Sequence, residues 1–430
     1  MERDILFDFI VWKRSKQRKL LVLKGMEGAG KTWALKEFGK RNYASTAYFS
    51  FAENQELADF FRLGSPKPDD VLSFARQRHA WPIQPNTTLI IFDDIHLSRF
   101  AIQSLIEFAL HLPEYHIACT GACLGAIYDL RSIQADVFSL FPMTFLEFLS
   151  ASGHSMMAEY IMELPKGAEI NEAIAANFEA ALFEYMAVGG MPEAVKTWLE
   201  TKSARRLDEK LQEIIDCNEN AICLLTETKP DDSAILAIWH SIVHQLWESP
   251  NKFAYRANDL QESVSWLLSA DLAYQADKIS EPLFPAQPSG EQGHYRLYLP
   301  DVGMLRRIAG MQADKLIESN ARFYRMLAGP LAENYAFCEL MHLYKEMPKY
   351  WHSSSWDRAV LVIQDWFDLI PIITYTGIAM NQEGANMQSA SLDKYIEQYK
   401  PGKFFASSLE SNEANQVPLY LLWALKKILS

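Results

Sequence analysis

The octapeptide GMEGAGKT, Gly25 to Thr32, stands between the apolar run KLLVLK and the segment TWALKEFGK. The run before it has the composition of a buried strand, and the segment after it has helical spacing. Strand, glycine-rich turn and helix in that order commit this part of the chain to an α/β unit built on a phosphate-binding G-x-x-x-x-G-K-[ST] turn. Gly25, Gly28 and Gly30 let backbone N–H groups, that of Ala29 among them, close round phosphate oxygens with no Cβ in the way. The following helix N-terminus adds positive partial charge. Lys31 is expected to neutralise β/γ-phosphate charge and to act in catalysis, and Thr32 to ligate Mg²⁺. Trp33 completes the cofactor-binding set. The expected cofactors are ATP or ADP with Mg²⁺.

Such a turn needs an acid at the end of a second buried strand to hold the metal shell. TTLIIFDDIH, Thr87 to His96, supplies it: Leu89 to Phe92 are all apolar, as in a strand covered on both faces. Asp93 takes the metal role, and Asp94 stands where a water-activating carboxylate belongs. Further strands are expected at Thr46 to Phe51, His116 to Ala122 and Val137 to Phe145, separated by helical patterns such as RFAIQSLIEFALHL. Alternation of this kind implies a mostly parallel sheet with the nucleotide at its carboxyl edge. Thr120, ending the fourth strand, is a candidate to polarise the attacking water and equally a candidate buried β-branched strand residue.

At 430 residues the chain is too long for one ordinary core and should form two or three units. With 49% hydrophobic and 22% charged residues it can bury enough apolar surface to fold throughout. A net charge of -13 repels phosphate backbones and anionic lipid, so contact with nucleic acid would need a local basic patch. The one candidate, WKRSKQRK (Trp12 to Lys19), leads straight into a strand and reads as a solvated face. Five cysteines without zinc spacing are expected to be reduced and mostly in the core. His240 and His244 share a helix face without an evident third ligand, so packing is expected of them. The N-terminal residues read as an amphipathic helix rather than a secretory signal. No apolar run reaches the ~18 residues of a membrane span, so no membrane partner is expected and a cytosolic setting is.

The order GAGKTWALKEFG, FAENQELADFF, IFDDIH, EYHIACTGACLG, LFPMTFLEFL, EYMAVGGMPEAV resembles the prokaryotic AAA-type ATPases that carry a C-terminal domain of unknown function. WHSIVHQLWESPNKFAYR, SWLLSADLAYQADKI, YRLYLPDVGML, LAENYAFCEL, KYWHSS and VPLYLLWAL continue the likeness over nearly the whole chain. The resemblance implies an α/β chain with an AAA-type P-loop domain over residues 1–150 and a helical lid over 151–206. A winged-helix-like domain over 207–314 and a PD-(D/E)XK nuclease-like domain over 315–430 would follow. In the lid, GGMPEA (Gly189 to Ala194) resembles the Gly-Gly-x-Pro turn, which would bring Gly190 and Pro192 to the base and ribose. SVSWLLSADLAYQ would be a helix running into the wing.

The nuclease-like part departs furthest from that family. Glu333 keeps the helix acid, but Val360 stands at the strand Asp position of RAVLVI, and Ile373 and Tyr375 stand where Glu and Lys belong in PIITY. None of these three offers a carboxylate to hold Mg²⁺ or a general base. Asp357, Asp365 and Asp368 fall in expected loops. An inactive nuclease fold follows. The P-loop domain departs more gently, with Asp93-Asp94 for Asp-Glu and Ala122 for Ser. A carboxylate set back by about 1.5 Å implies slow hydrolysis with binding intact. Arg131 is the best candidate for an arginine finger, although an ordinary surface arginine is the better reading. The function expected is a nucleotide-controlled conformational switch acting on a protein partner or by self-association. The alternatives are a DNA-associated ATPase that binds without cutting, and a non-hydrolysing interaction scaffold with structural nucleotide.

Overall fold

The computed structural model describes residues 2–62, 64–165, 170–225, 231–247, 261–288, 295–318, 329–352, 359–374, 382–408 and 416–429. Strands β1 (Leu20–Lys24), β2 (Ser45–Ser50), β3 (Thr88–Asp93), β4 (His116–Thr120) and β5 (Ala135–Ser139) form a five-stranded sheet in the order β2-β3-β4-β1-β5, every pair parallel. Parallel strands need helical crossovers, so both sheet faces are covered and side chains of alternating direction enter two different cores. Leu21, Leu23, Leu89, Ile91 and Ala118 enter one; Leu20, Val22, Ile90, Phe92, Ile117 and Cys119 enter the other. Each leucine, isoleucine, valine and phenylalanine among them contributes about 1.5–3 kcal/mol on burial.

The N-terminal helix Ile5–Arg14 is amphipathic as expected, burying Leu6, Phe9 and Trp12 and leaving Phe7 and Val11 exposed. In the basic stretch after it Arg14, Lys16 and Lys19 are exposed, so it is a solvated face. The fifth strand is shorter than expected and ends at Ser139. Thr144 then caps the helix Phe145–Ala151: its hydroxyl accepts from the Glu147 N–H while the Glu147 carboxylate accepts from the Thr144 N–H. A reciprocal cap satisfies two donors that a strand would have spent on a neighbour, and this local gain turns TFLE into a helix start.

Helices Glu172–Val188 and Pro192–Thr201 flank the Gly189–Gly190 turn. Helices Ala204–Leu224, Asp232–Trp247 and Gln261–Ser269 precede an antiparallel ribbon of β6 (Tyr274–Asp277) and β7 (Tyr295–Tyr298). Helix Gly329–Tyr344 leads into a second five-stranded sheet of β8 (Lys349–Trp351), β9 (Val360–Asp365), β10 (Asp368–Thr374), β11 (Phe405–Ser408) and β12 (Gln416–Pro418). There β8, β9 and β10 are antiparallel and β10, β11 and β12 parallel, with helix Gln382–Tyr399 as the crossover. One apolar cluster runs from Leu6 to Leu425 through all these parts, and buried polar contacts cross the expected boundaries. Arg306, fully buried, donates to Ala187 O at 2.8 Å and to Asp208 at 2.6 Å.

Two expectations are corrected. Asp365 and Asp368 are not loop residues but end β9 and begin β10, facing each other across the turn Trp366–Phe367. His240 and His244 are exposed rather than packed, and His240 pairs with Glu219 at 2.9 Å. Hydrophobic spacing places Trp239, Ile242 and Val243 inward, which turns both histidines out. Of the five cysteines, all free, Cys119, Cys123 and Cys338 are buried while Cys217 and Cys223 are exposed. Among the described residues no helix is long and apolar enough to cross a membrane.

Candidate nucleotide site

The P-loop leaves β1, between β4 and β5 in the first sheet, and bends at once. A Cβ on Gly25 would stand 2.3 Å from Leu140 O, and Gly28, at φ +86°, would press one onto Met191 Cε at 2.9 Å, so neither position accepts a side chain. The loop returns into helix Lys31–Asn42. Lys31, 7% exposed, turns back over the loop: its Nζ donates to Gly25 O, Met26 O and Glu27 Oε1, each at 3.0 Å. Lys31 also holds the Glu27 carboxyl below its ordinary range. Ala29 is buried, and its carbonyl accepts from Arg3 Nη1 at 3.2 Å; Arg3 is paired with Glu147 at 3.1 Å. Trp33, 39% exposed, follows on the same helix.

Asp93 ends β3 beneath this helix. Its Oδ2 accepts from Thr32 Oγ1 at 2.6 Å and from Tyr48 Oη at 2.9 Å, and its Oδ1 accepts from the Asp94 N–H at 2.9 Å. Tyr48 reaches it because β2 lies beside β3 in parallel register, Ser50 opposite Asp93. Burial, then the Asp93 charge, pushes the Tyr48 phenol upward and keeps it a donor. A hydroxyl and a carboxylate in contact are hard oxygen ligands, so Thr32 and Asp93 fit Mg²⁺ in the chemistry of their donors.

Asp94 adopts a left-handed backbone at φ 57°, and its Oδ2 accepts from Ser50 Oγ at 2.8 Å. Burial, then the neighbouring Asp93, raises its pKa. His96, on the 3-10 turn Ile95–Leu97, accepts the Ala122 N–H at Nδ1 over 3.1 Å, so the proton of the neutral ring sits on Nε2. Burial holds that ring neutral by lowering its pKa. The histidine thus ties the end of β3 to the loop after β4.

Thr120 takes the second of its two readings, the buried strand residue. It is fully buried, and its hydroxyl donates its one proton to Leu23 O at 2.7 Å, joining β4 to β1 rather than aiming at a water. Gly190 is also spent within the protein: its N–H donates to Asp301 Oδ2 at 2.6 Å and its carbonyl accepts from the Met143 N–H at 2.7 Å. The turn reaches the P-loop through other residues, Met191 against Gly28 and Pro192 Cγ at 3.4 Å from a Cβ built on Gly30. Asp301, buried at the N-cap of helix Val302–Ile308, has its carboxyl pushed up to about 6 by burial. Arg131 is exposed in the turn after β4.

Spacing gives no sign of two further contacts. Asn218, 1% exposed on helix Ala204–Leu224, holds the backbone of Glu27 at both ends, accepting its N–H and donating to its carbonyl, each at 3.1 Å. Lys24, the last residue of β1, is ion-paired with Asp271.

At the positions compared above with a nuclease motif, Glu333 is buried and ion-paired with Arg296 at 2.7 Å, and it accepts from Tyr298 Oη at 2.9 Å. Val360 and Ile373 lie in an apolar cluster with Trp351, Val362, Leu392 and Tyr395. Tyr375, Asp357 and Arg358 lie outside the described residues. Among the described residues no group of three or more His, Cys, Asp or Glu side chains could hold a metal ion.

Residues 17–149 match the profile of an AAA domain, and residues 179–315 match a domain of unknown function, DUF8612. The first match supports an AAA-type, nucleotide-binding P-loop unit around the geometry above. The second starts inside helix Glu172–Val188 and so takes in the Gly189–Gly190 turn together with the helices and ribbon that follow. Among solved structures the chain is similar to PCH-2 of C. elegans, at 11% identity and a TM-score of 0.29, over 50% of this chain and 67% of that one. It is also similar to the Holliday junction branch migration motor RuvB of Thermotoga maritima, at 15% identity and a TM-score of 0.29, over 64% and 89%. No curated protein matches the chain.

Proposed function

We propose that the chain is a slow Mg-dependent ATPase that works as a nucleotide-controlled switch. The observation that carries this reading is Thr32 and Tyr48 joined on Asp93, beside Lys31 folded over a glycine-rich loop, at the carboxyl edge of a parallel sheet. Gly25, Gly28, Ala29 and Gly30 supply loop amides, Lys31 meets the β/γ-phosphates, and Trp33 and Pro192 border the nucleotide. Thr32 and Asp93 hold Mg²⁺, which when bound screens phosphate charge. Asp94 orients the attacking water from a position set back by its short side chain. The protein is cytosolic in this reading and acts on a protein partner.

The helices and ribbon over 207–314 have the order of a winged helix. The third unit, a helix followed by an antiparallel three-strand run and a parallel crossover, has the order of a nuclease-like fold. Its metal positions hold Val360 and Ile373 in a dry cluster, and Glu333 is consumed by Arg296. The full chain with Mg²⁺ is therefore expected to leave single- and double-stranded DNA intact on a gel; metal-dependent cleavage would refute the inactive assignment.

Phosphate release from Mg-ATP is expected to be slow but above that of Lys31→Ala, which removes the phosphate contact. Equal release by the two proteins, with ATP still bound by the unmodified chain, would make the nucleotide a structural ligand.

A further inference from the structure

Two P-loop donors that a phosphate could use, the Lys31 ammonium and the Glu27 amide, are engaged by the protein itself. Lys31 has three protons, and the acceptors Gly25 O, Met26 O and Glu27 Oε1 take one each at 3.0 Å. Two of these are loop carbonyls that position the lysine. The third is a carboxylate, the same anionic oxygen chemistry as a phosphate, on the contact a terminal phosphate would use. The amide of Glu27 meanwhile donates to Asn218 Oδ1 at 3.1 Å, and the Glu27 carbonyl accepts from Asn218 Nδ2 at the same distance. Asn218 Nδ2 also donates to Ile214 O at 2.8 Å, which locks the side chain onto its own helix. Ile214 of that helix stands 3.1 Å from a Cβ built on Gly28.

We propose that Glu27 and Asn218 form an internal latch on the phosphate site: the Glu27 carboxylate occupies Lys31 in place of a terminal phosphate, and nucleotide enters by displacing it, which loosens the helix Ala204–Leu224 from the P-loop. The inference rests on the ATP-binding reading above and specifies how that site is regulated. The Lys31 charge keeps Glu27 ionised, so the internal ligand competes as an anion. The helix that would be loosened also carries Asp208, the partner of the buried Arg306, and Glu219, the partner of His240. Movement at Asn218 is thereby transmitted to helices Val302–Ile308 and Asp232–Trp247 without any contact between them and the nucleotide. A contact exchanged between two states is what a switch needs, since a ligand shifts an equilibrium only by its differential affinity for the two.

The test is a fluorescence titration of the full chain with a ribose-labelled ATP analogue and Mg²⁺, on wild type, Glu27→Ala, Glu27→Gln, Asn218→Ala and Lys31→Ala. Hydrogen exchange over residues 204–224 is followed in the same samples. Glu27→Ala and Glu27→Gln are expected to bind about tenfold more tightly, because a charge-assisted hydrogen bond no longer has to be broken. Asn218→Ala is expected to bind severalfold more tightly. In wild type, ATP should speed exchange in 204–224, and in Asn218→Ala exchange should already be fast without it. Unchanged or weaker binding by both Glu27 variants, with wild type still binding in a Lys31-dependent way, overturns the latch and leaves the ATPase reading standing. Weaker binding by Asn218→Ala alone makes that residue a loop support and likewise overturns the latch. No Lys31-dependent binding by any variant overturns the ATP reading and the latch with it.

Discussion

Asp94→Glu is expected to raise phosphate release from Mg-ATP by up to about a hundredfold. Asp94 is tethered at Oδ2 by Ser50 and stands beside Asp93, which already accepts from Thr32, Tyr48 and the Asp94 amide. In the proposed mechanism Asp93 goes to the metal, and Asp94, whose pKa burial raises, is left to orient a water. On the proposed reading its reach falls short of a glutamate's by one methylene, worth about 1.5 Å. A misplacement of about 1 Å costs on the order of a hundredfold when a nucleophile must be aligned. Glutamate restores the reach, at a cost of about 1 kcal/mol for holding a longer side chain at a left-handed backbone position. The check is steady-state phosphate release by the two proteins at saturating ATP, each corrected for Lys31→Ala. A rate that fails to rise would place the deficit outside Asp94, in the Ser50 tether or in the orientation of His96.

Glu339→Gln is expected to remove a large pH dependence of stability. Glu339 lies on helix Gly329–Tyr344, 2% exposed. It accepts from the Phe145 N–H at 3.1 Å and from Trp423 Nε1, and so ties its own helix and Trp423 to the start of the helix that follows β5. Burial pushes its carboxyl from 4.5 up to about 8, against the pull of those donors. The Tyr185 hydroxyl, 3.4 Å away, gives its own proton to Met143 O at 2.6 Å, so a protonated Glu339 can donate to it.

A carboxyl whose folded pKa is raised binds its proton more tightly in the folded state than in the unfolded one. Stability is then greatest below about 4.5 and falls as the pH climbs towards about 8, where the folded protein must give up the proton or bury a charge. Between pH of about 5.5 and about 8.5 the wild type should lose about 3 kcal/mol relative to Glu339→Gln. Urea unfolding of both proteins at the two pH values measures this. Parallel losses would show that another group sets the slope.

The local parts of the site were legible because their chemistry is written in contiguous residues. A phosphate turn must place glycines and a lysine at fixed intervals, so GMEGAGKT and IFDDIH name Lys31, Thr32, Asp93 and Asp94 without reference to the rest of the chain. The apolar runs before them identify β1 and β3, since only strands covered on both faces tolerate such runs. Legibility fails where a polar side chain has a choice of partners. Thr120 read equally well as a water-polarising group or as a strand residue, and its hydroxyl is spent on Leu23 O because a buried donor must be paired. The fifth strand read six residues past its end because the reciprocal cap of Thr144 and Glu147 sits inside an apolar stretch.

By itself, then, the sequence determined a P-loop unit with its lysine, its hydroxyl and its paired acids, and it ruled the metal-binding acids out of Val360 and Ile373. Those properties follow from which atoms a side chain owns. The tertiary structure decided how these groups are held: Arg3 on Ala29, Tyr48 on Asp93, His96 on Ala122, Glu339 on Phe145 and Asn218 on Glu27. The partners of the last pair are 191 residues apart, and no local spacing can encode such a distance. They meet because helix Ala204–Leu224 buries Leu207, Leu211, Ile214 and Ile215 in the common core, and that burial carries Asn218 to the loop it holds.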